Sequence, residues 1–403
     1  MAIGKVNVGG GIKITGQGEI TASYYEDINK GDLVTVRRYF GMESPVKLAN
    51  PPVLPTGTAW VSKWSRDDRY LVVTHNTTPY MTVYKRDGDN LVKLANPTTL
   101  PNGGGSAMDI SHDGTYIAIQ QGGTGDIKIY KNTNDVIELL TTINSGNSVP
   151  IDDLSFSPDG NYLVSVASTG TTLNIFTRSG DTFTKTSSGS GVKKVAFSPD
   201  GQYLAVGTSS EPYYHVYNFS NGVISGNFTT DSSAGINFIR GLSFSGDGVL
   251  AMTSLEPPYL FLFQQSGLSF TKKPNLASMP SSTIYGVDFS SDGKYLSTIS
   301  TTSPYVKRWK KNGSTYDVLG DLSTPPTGVP KHIDSAYLNP YFVVAHETSP
   351  YISVYKSDIL GDYAHLYNNI SELYSGNYVA FGYAKSVGLA NDTNKKVITL
   401  PIK

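Results

Sequence analysis

Apolar and polar residues alternate along this chain in short runs separated by turn residues, and one run shows the unit most clearly. It is Leu154 to Leu163, LSFSPDGNYL. Leu154 and Phe156 share a face with Ser155 between them, the period of two expected of a strand with one buried side. The Ser-Pro-Asp-Gly that follows is turn chemistry. Proline presets φ, aspartate bonds its own backbone and glycine supplies positive φ. Tyr162, Leu163 and Val164 then restart an extended run. Close copies stand at Val195 to Leu204 and Val287 to Leu296, with a looser one at Leu242 to Leu250.

The turn glycine recurs at Gly114, Gly160, Gly201, Gly248 and Gly293, spacings of 46, 41, 47 and 45 residues. Degenerate copies at Trp64 to Leu71 and Ala336 to Val343 extend the series to seven units, with Tyr70 and Tyr341 in the place of Tyr162. Each unit carries a third run ending in an aromatic: MTVYK (81–85), IKIYK (127–131), LNIFT (173–177), YHVYN (214–218), LFLF (260–263), VKRW (306–309) and ISVYK (352–356). A weaker fourth run follows, such as Leu91 to Leu94. Four short strands repeated every ~40–45 residues is the period of propeller blades, and propellers typically have 4–8 of them. The pattern predicts an all-β chain with a seven-bladed β-propeller. PVKLANPPVLP at 45–55 copies LVKLANPTTLP at 91–101, yet precedes any first or second strand. It therefore reads as an orphan fourth strand that closes the last blade and covers edges that would otherwise be open.

Through the SPDGxYL hairpin and the aromatic-ended third strand, residues 45–366 resemble the WD-repeat and YVTN-like β-propellers. No unit has the Gly-His start or Trp-Asp end of a true WD repeat. That departure bears on the interaction-platform role that the resemblance implies.

Composition changes the picture of the setting. Of 403 residues, 16% are charged and the net charge is −1, against roughly 25% charged in typical soluble proteins. With no basic block, nucleic acid and anionic membranes are not expected partners. The absence of cysteine excludes disulfides and thiolate metal sites. No run of ~18 apolar residues suggests a membrane span, and the first residues lack a signal-peptide core. An extracellular-type surface made without a secretion signal suits a virion protein made in the host cytoplasm.

Residues 1–40 and 371–403 do not follow the repeat, and each alone is too short to bury a core. Together they can form one small β-barrel-like domain into which the propeller is inserted. Ile28, Gly31, Asp32, Leu33, Val34 and Val36, with Gly382, Ala384, Val397 and Leu400, resemble the small β-barrel of tailed-phage head decoration and head-fibre proteins. That resemblance implies anchoring to capsid or tail proteins.

Candidate chemistry is sparse. His75 and His346 hold the same blade position, where a metal pair or plain loop polarity are both readings. Asp109, Asp152, Asp153, Asp288 and Asp334 sit on first strands, which line the channel and could gather around a cation. No catalytic motif appears, so no enzyme, metal or cofactor is expected. More distinctive is a Pro-Tyr repeat between second and third strands, which places Tyr80, Tyr213, Tyr259, Tyr305 and Tyr351 around one rim. Such a rim suits sugar stacking or a protein partner. Repeated packing of each tyrosine against the next blade, with proline starting the third strand, is the stronger of the two readings. The expectation is a non-enzymatic phage surface protein that decorates the particle or adheres to host glycans or proteins, with a homo-oligomer on the particle as one arrangement. A lactonase-like enzyme and a WD-type interaction scaffold are the alternatives.

Overall fold

The computed structural model describes residues 44–357 with their side chains, except at 124, 147–148, 168–172, 187–192, 209–210, 227–235 and 268, together with the backbone of strands at both chain ends. All its regular elements are strands, and no helix among the described residues is long and apolar enough to cross a membrane. The chain divides into two compact units, Met42–Ser357 and Met1–Gly41 with Asp358–Lys403.

The larger unit is a seven-bladed propeller, and its first six blades are antiparallel four-stranded sheets in chain order. Blade one is Ala59–Trp64, Tyr70–His75, Met81–Asp87 and Asn90–Lys93; blade three is Asp153–Phe156, Tyr162–Ala167, Thr172–Ser179 and Thr182–Ser190. Blade seven takes its first three strands from Pro330–Ser335, Tyr341–His346 and Ile352–Tyr367, and its fourth from Leu33–Lys47 at the other end of the chain. The Leu48 amide donates to the Val354 carbonyl at 2.8 Å, as the Leu94 amide donates to Val83 at 2.8 Å in blade one. In both copies of VKLANP the strand ends at the lysine, and the rest leads out of the blade.

Burial follows from the blade stack. A second strand is covered on both faces by neighbouring blades, so YLVVTH in blade one is buried at every position. A first strand has one face on the channel and alternates, as Asp153–Phe156 does. The apolar core consequently lies between blades. Trp64, Val73 and Leu91 of blade one, for example, pack with Tyr341, Val343 and Val354 of blade seven. The aromatic that ends the third run is fully buried in most blades, as are Tyr84, Tyr130, Phe176 and Trp309.

The turn works as its residues dictate. In blade three Ser157 Oγ donates to Asp159 Oδ1 at 2.5 Å and accepts the Tyr162 amide at 2.9 Å. Gly160 has φ +68°. The tyrosine that follows is a second link between blades. Tyr70, Tyr116 and Tyr341 donate to Asp135, Asp181 and Asp89 of the next blade at 2.6 Å each. Lys85, Lys131 and Lys356 bind the same carboxylates. Hydrogen bonds from lysine and then tyrosine hold all three carboxyls below their ordinary range.

In the smaller unit, Ile12–Thr15, Glu19–Tyr24, Lys396–Pro401 and Ser386–Leu389 form an antiparallel sheet in that order. Ile20 is registered opposite Leu400 and Ser23 opposite Val397. Strand Val379–Tyr383 pairs with Leu33–Lys47. Ile28, Gly31, Asp32 and Ala384 of the phage-like pattern lie outside the described residues.

Candidate functional site

Strand polarity gives the propeller two working faces. First strands run towards the Ser-x-Asp-Gly turns, and second strands return. The loops between second and third strands therefore share a face with the starts of the first strands.

On that face each Pro-Tyr turn contains a cis peptide: Thr78–Pro79, Glu211–Pro212, Pro257–Pro258, Ser303–Pro304 and Ser349–Pro350. Tyr80, Tyr259, Tyr305 and Tyr351 adopt φ of +66° to +68°. Their amides return to Thr77, Glu256, Thr302 and Thr348 at 2.7–3.0 Å. Their carbonyls accept the amides of His75, Ser254, Ser300 and His346. Backbone geometry thus holds the tyrosines at equivalent places. All five, Tyr213 included, are half-buried. Tyr213, Tyr259 and Tyr351 pack against the apolar clusters between blades. Part of each of these side chains is committed to packing and the remainder faces the rim.

His75 and His346 are fully buried. Each bonds across to its own third strand, His75 Nε2 with Thr82 Oγ1 at 3.0 Å and His346 Nε2 with Ser353 Oγ at 3.1 Å. Burial pushes both imidazoles down to about 4, so at neutral pH they are uncharged struts inside separate blades.

The channel carboxylates have a shared task. Asp109, Asp288 and Asp334, and likewise Ser243, stand two residues before the turn serine or its equivalent. Each accepts the amide of the next blade's first strand. Asp109 takes Phe156 at 2.7 Å, Asp288 takes Ser335 at 2.7 Å, Asp334 takes Trp64 at 2.8 Å and Ser243 takes Phe289 at 3.2 Å. Asp153 takes Val195 at 3.2 Å. Lys63 fills the equivalent place in blade one and pairs with Asp334 at 2.9 Å. Burial disfavours its charge, but Asp334, Asp109 and Asp288 outweigh that and hold its pKa above the usual value. Burial raises Asp109 to about 6 and Asp288 to about 7, the latter with help from Asp334 and against Lys63. Among the described residues no three His, Cys, Asp or Glu converge as metal ligands would.

At the turn-side mouth of the channel, Arg66 of blade one lies over the Tyr337 ring of blade seven at 4.5 Å. His112 of blade two is 6.3 Å from the same ring. At the opposite mouth, on the Pro-Tyr face, Trp60, Lys193, Arg240, Tyr285 and Lys331 stand at or just before the starts of the first strands, each five residues ahead of the turn serine or its equivalent. Lys331 lies 5.6 Å from the Trp60 ring and pairs with Glu347 at 2.5 Å. Lys193 lies over Phe238 at 4.6 Å. Arg240 lies over Phe238 at 5.4 Å and over Tyr285 at 4.9 Å. The hairpin alignment contains the signal for this ring, a fixed offset ahead of the turn. The residue types differ from blade to blade, so no motif marks it.

Residues 138–177 and 181–211 match the family described as WD domain, G-beta repeat. The first stretch spans a fourth strand and the next blade's first three, the same offset by which the N-terminal strand closes blade seven. No curated protein sequence matches the chain. Solved structures do. Hydrazine synthase of Kuenenia stuttgartiensis is 14% identical with a TM-score of 0.59, over 77% of this chain and 99% of that one. The WD40 repeats of RRP9 are 12% identical, TM-score 0.58, over 80% and 100%. A chain of the mitotic checkpoint complex is 14% identical, TM-score 0.58, over 79% and 95%. At such identities they share the fold, and their differing names show that the fold alone does not select a function.

Proposed function

We propose that this chain is a non-enzymatic binding propeller carried on the surface of a tailed-phage particle, anchored to capsid or tail proteins by the unit its two ends form. The coarser part, a WD-type seven-bladed propeller suited to an interaction scaffold, follows from the repeat match and the fold. The observation that carries the rest is the pairing of Glu19–Tyr24 with Lys396–Pro401. Both ends thereby belong to a unit separate from Met42–Ser357, as an anchor with an inserted display domain requires.

The chemistry of the channel supports a binding role over a catalytic one. Its aspartates are occupied by amides of neighbouring blades, and a carboxylate that staples two blades together is poorly placed to act on a substrate. The rim tyrosines and the cationic, aromatic mouth share one face and supply the contact chemistry of a binding surface. Copies arrayed on a particle would add avidity to weak contacts with host glycans or proteins.

Gold-conjugated antibody against residues 42–357 tests this reading on particles of the phage that encodes the chain. Gold on heads or tails is expected, and it should vanish when residues 1–41 and 358–403 are removed. Unlabelled particles, with the protein free in the cell, would overturn it.

A further inference from the structure

The mouth of the channel on the Pro-Tyr face brings together side chains from three consecutive blades. Lys193 opens blade four, Phe238 and Arg240 open blade five, and Tyr285 opens blade six. The ring of Phe238 receives both cations, and Arg240 also lies over Tyr285. Stacking engages only the faces of a guanidinium. Its five N–H donors lie in its plane and stay available for a planar acceptor.

One donor of that plane is unsatisfied. The Nε of Arg240 is shut off from water and has no hydrogen-bond partner among the described residues. Among the described residues neither Arg240 nor Lys193 forms an ion pair, whereas Lys331 of the same ring is matched by Glu347 and Lys194, next along, by Asp153 at 3.7 Å. A buried donor without an acceptor costs roughly 1–3 kcal/mol, and a bound ion or ligand is one of the arrangements that account for such a group in a native structure. The backbone carries a second sign of the same kind. Phe238 sits at φ +40°, a left-handed conformation that non-glycine residues adopt mainly where the surroundings impose it. The Asn237 amide is held by Ser254 Oγ at 3.1 Å, and the Leu255 amide donates to the Asn237 carbonyl. The strained residue is thus tied to the neighbouring Pro-Tyr loop that carries Tyr259.

We infer that Arg240, Lys193, Phe238 and Tyr285 form a binding site for a carboxylate-bearing sugar, with the carboxylate bidentate on Arg240 and balanced by Lys193. The rings of Tyr259 and Tyr213, on the same face of the propeller, receive the apolar face of the sugar ring. Phosphate would also meet the cations, but it offers nothing to the aromatic surface. The inference deepens the adhesive part of the reading above and rests on it.

The test titrates the full-length chain by calorimetry with sialyllactose, its methyl ester, lactose and inorganic phosphate. Sialyllactose should bind, and the ester and lactose should bind at least about tenfold more weakly, the loss expected for a charge-assisted bidentate pair. Arg240→Gln should lose sialyllactose binding to the same degree while keeping the thermal midpoint of the parent chain. Arg240→Lys, which keeps the charge without the fork, should recover only part of it. Equal binding of acid and ester, unchanged binding by R240Q, or binding of phosphate alone would each overturn the site. Gold-labelled particles whose propeller ignores sialyllactose would sink this site and leave surface display intact; binding with unlabelled particles would do the reverse.

Discussion

Asp288 shows how one side chain's role is set by its surroundings. Burial and the neighbouring Asp334 lift its pKa to about 7 in the folded chain, against roughly 3.9 for an exposed aspartate. The folded state therefore holds this proton more tightly than the unfolded chain does. Its stability contribution is fully present below about pH 4 and is lost as the pH rises through 7. The buried His75 and His346 act in the opposite sense, since their depressed values favour the folded state above about 6.5 and lose that contribution as the pH falls towards 4. The comparison with Asp288→Asn isolates the carboxyl, because asparagine keeps an oxygen for the Ser335 amide. D288N should be more stable than the parent by on the order of 1 kcal/mol near pH 8. The difference should shrink towards pH 5. Urea denaturation at both pH values measures it, and a gap that widens on acidification would refute the assignment.

Among elements, the blade interfaces carry the energetics. Apolar clusters fill the space between neighbouring sheets. Two polar links repeat around the ring, the first-strand carboxylate on the next blade's amide and the second-strand tyrosine on the next blade's hairpin aspartate. Tyr341 to Asp89 belongs to the interface where the ring closes. Tyr341→Phe and Asp89→Ala should each lower stability by about 1 kcal/mol, and the double variant should lose less than the sum, since both singles remove the same bond. Additive losses in a double-mutant cycle would show that the bond contributes nothing. Not every blade can make the link. In blade four Gly222 faces Tyr162, and a β-carbon there would come within 2.7 Å of the ring, so the contact is steric in place of a hydrogen bond.

For the whole molecule, ring closure is the decisive connection. Blade seven draws its outer strand from residues that precede blade one, so the propeller's integrity depends on the segment up to Lys47. A chain of residues 42–357 keeps that segment and should fold as a monomer with a cooperative transition. A chain of residues 48–357 loses it and exposes the edge of Ile352–Ser357, which should lower the thermal midpoint and promote association. Size-exclusion chromatography and calorimetry on the two chains distinguish them. Equal behaviour would mean that the fourth strand of blade seven is dispensable.

Periodicity along the chain made much of this legible. The turn glycines, the aromatic-ended runs and the orphan copy of VKLANP reveal repeat number, strand order and closure, because each repeat must solve the same packing problem with the same residue types. Turn geometry was legible for the same reason: Ser157, Asp159 and Gly160 act within a few residues of one another. The functional surfaces were less so. The rim tyrosines could be placed on one face, but their shared burial against neighbouring blades depends on contacts between units. The channel aspartates could have gathered around a cation, but Asp109, Asp153, Asp288 and Asp334 each hold an amide one blade away. Arg240, Phe238, Tyr285 and Lys193 carry no motif at all. Sequence by itself determined the repeat and hence the ring, since local turn chemistry and strand period act over short distances. Only the tertiary structure decided which side chains meet at the channel mouths, because those meetings join residues some forty positions apart through the rotation from one blade to the next.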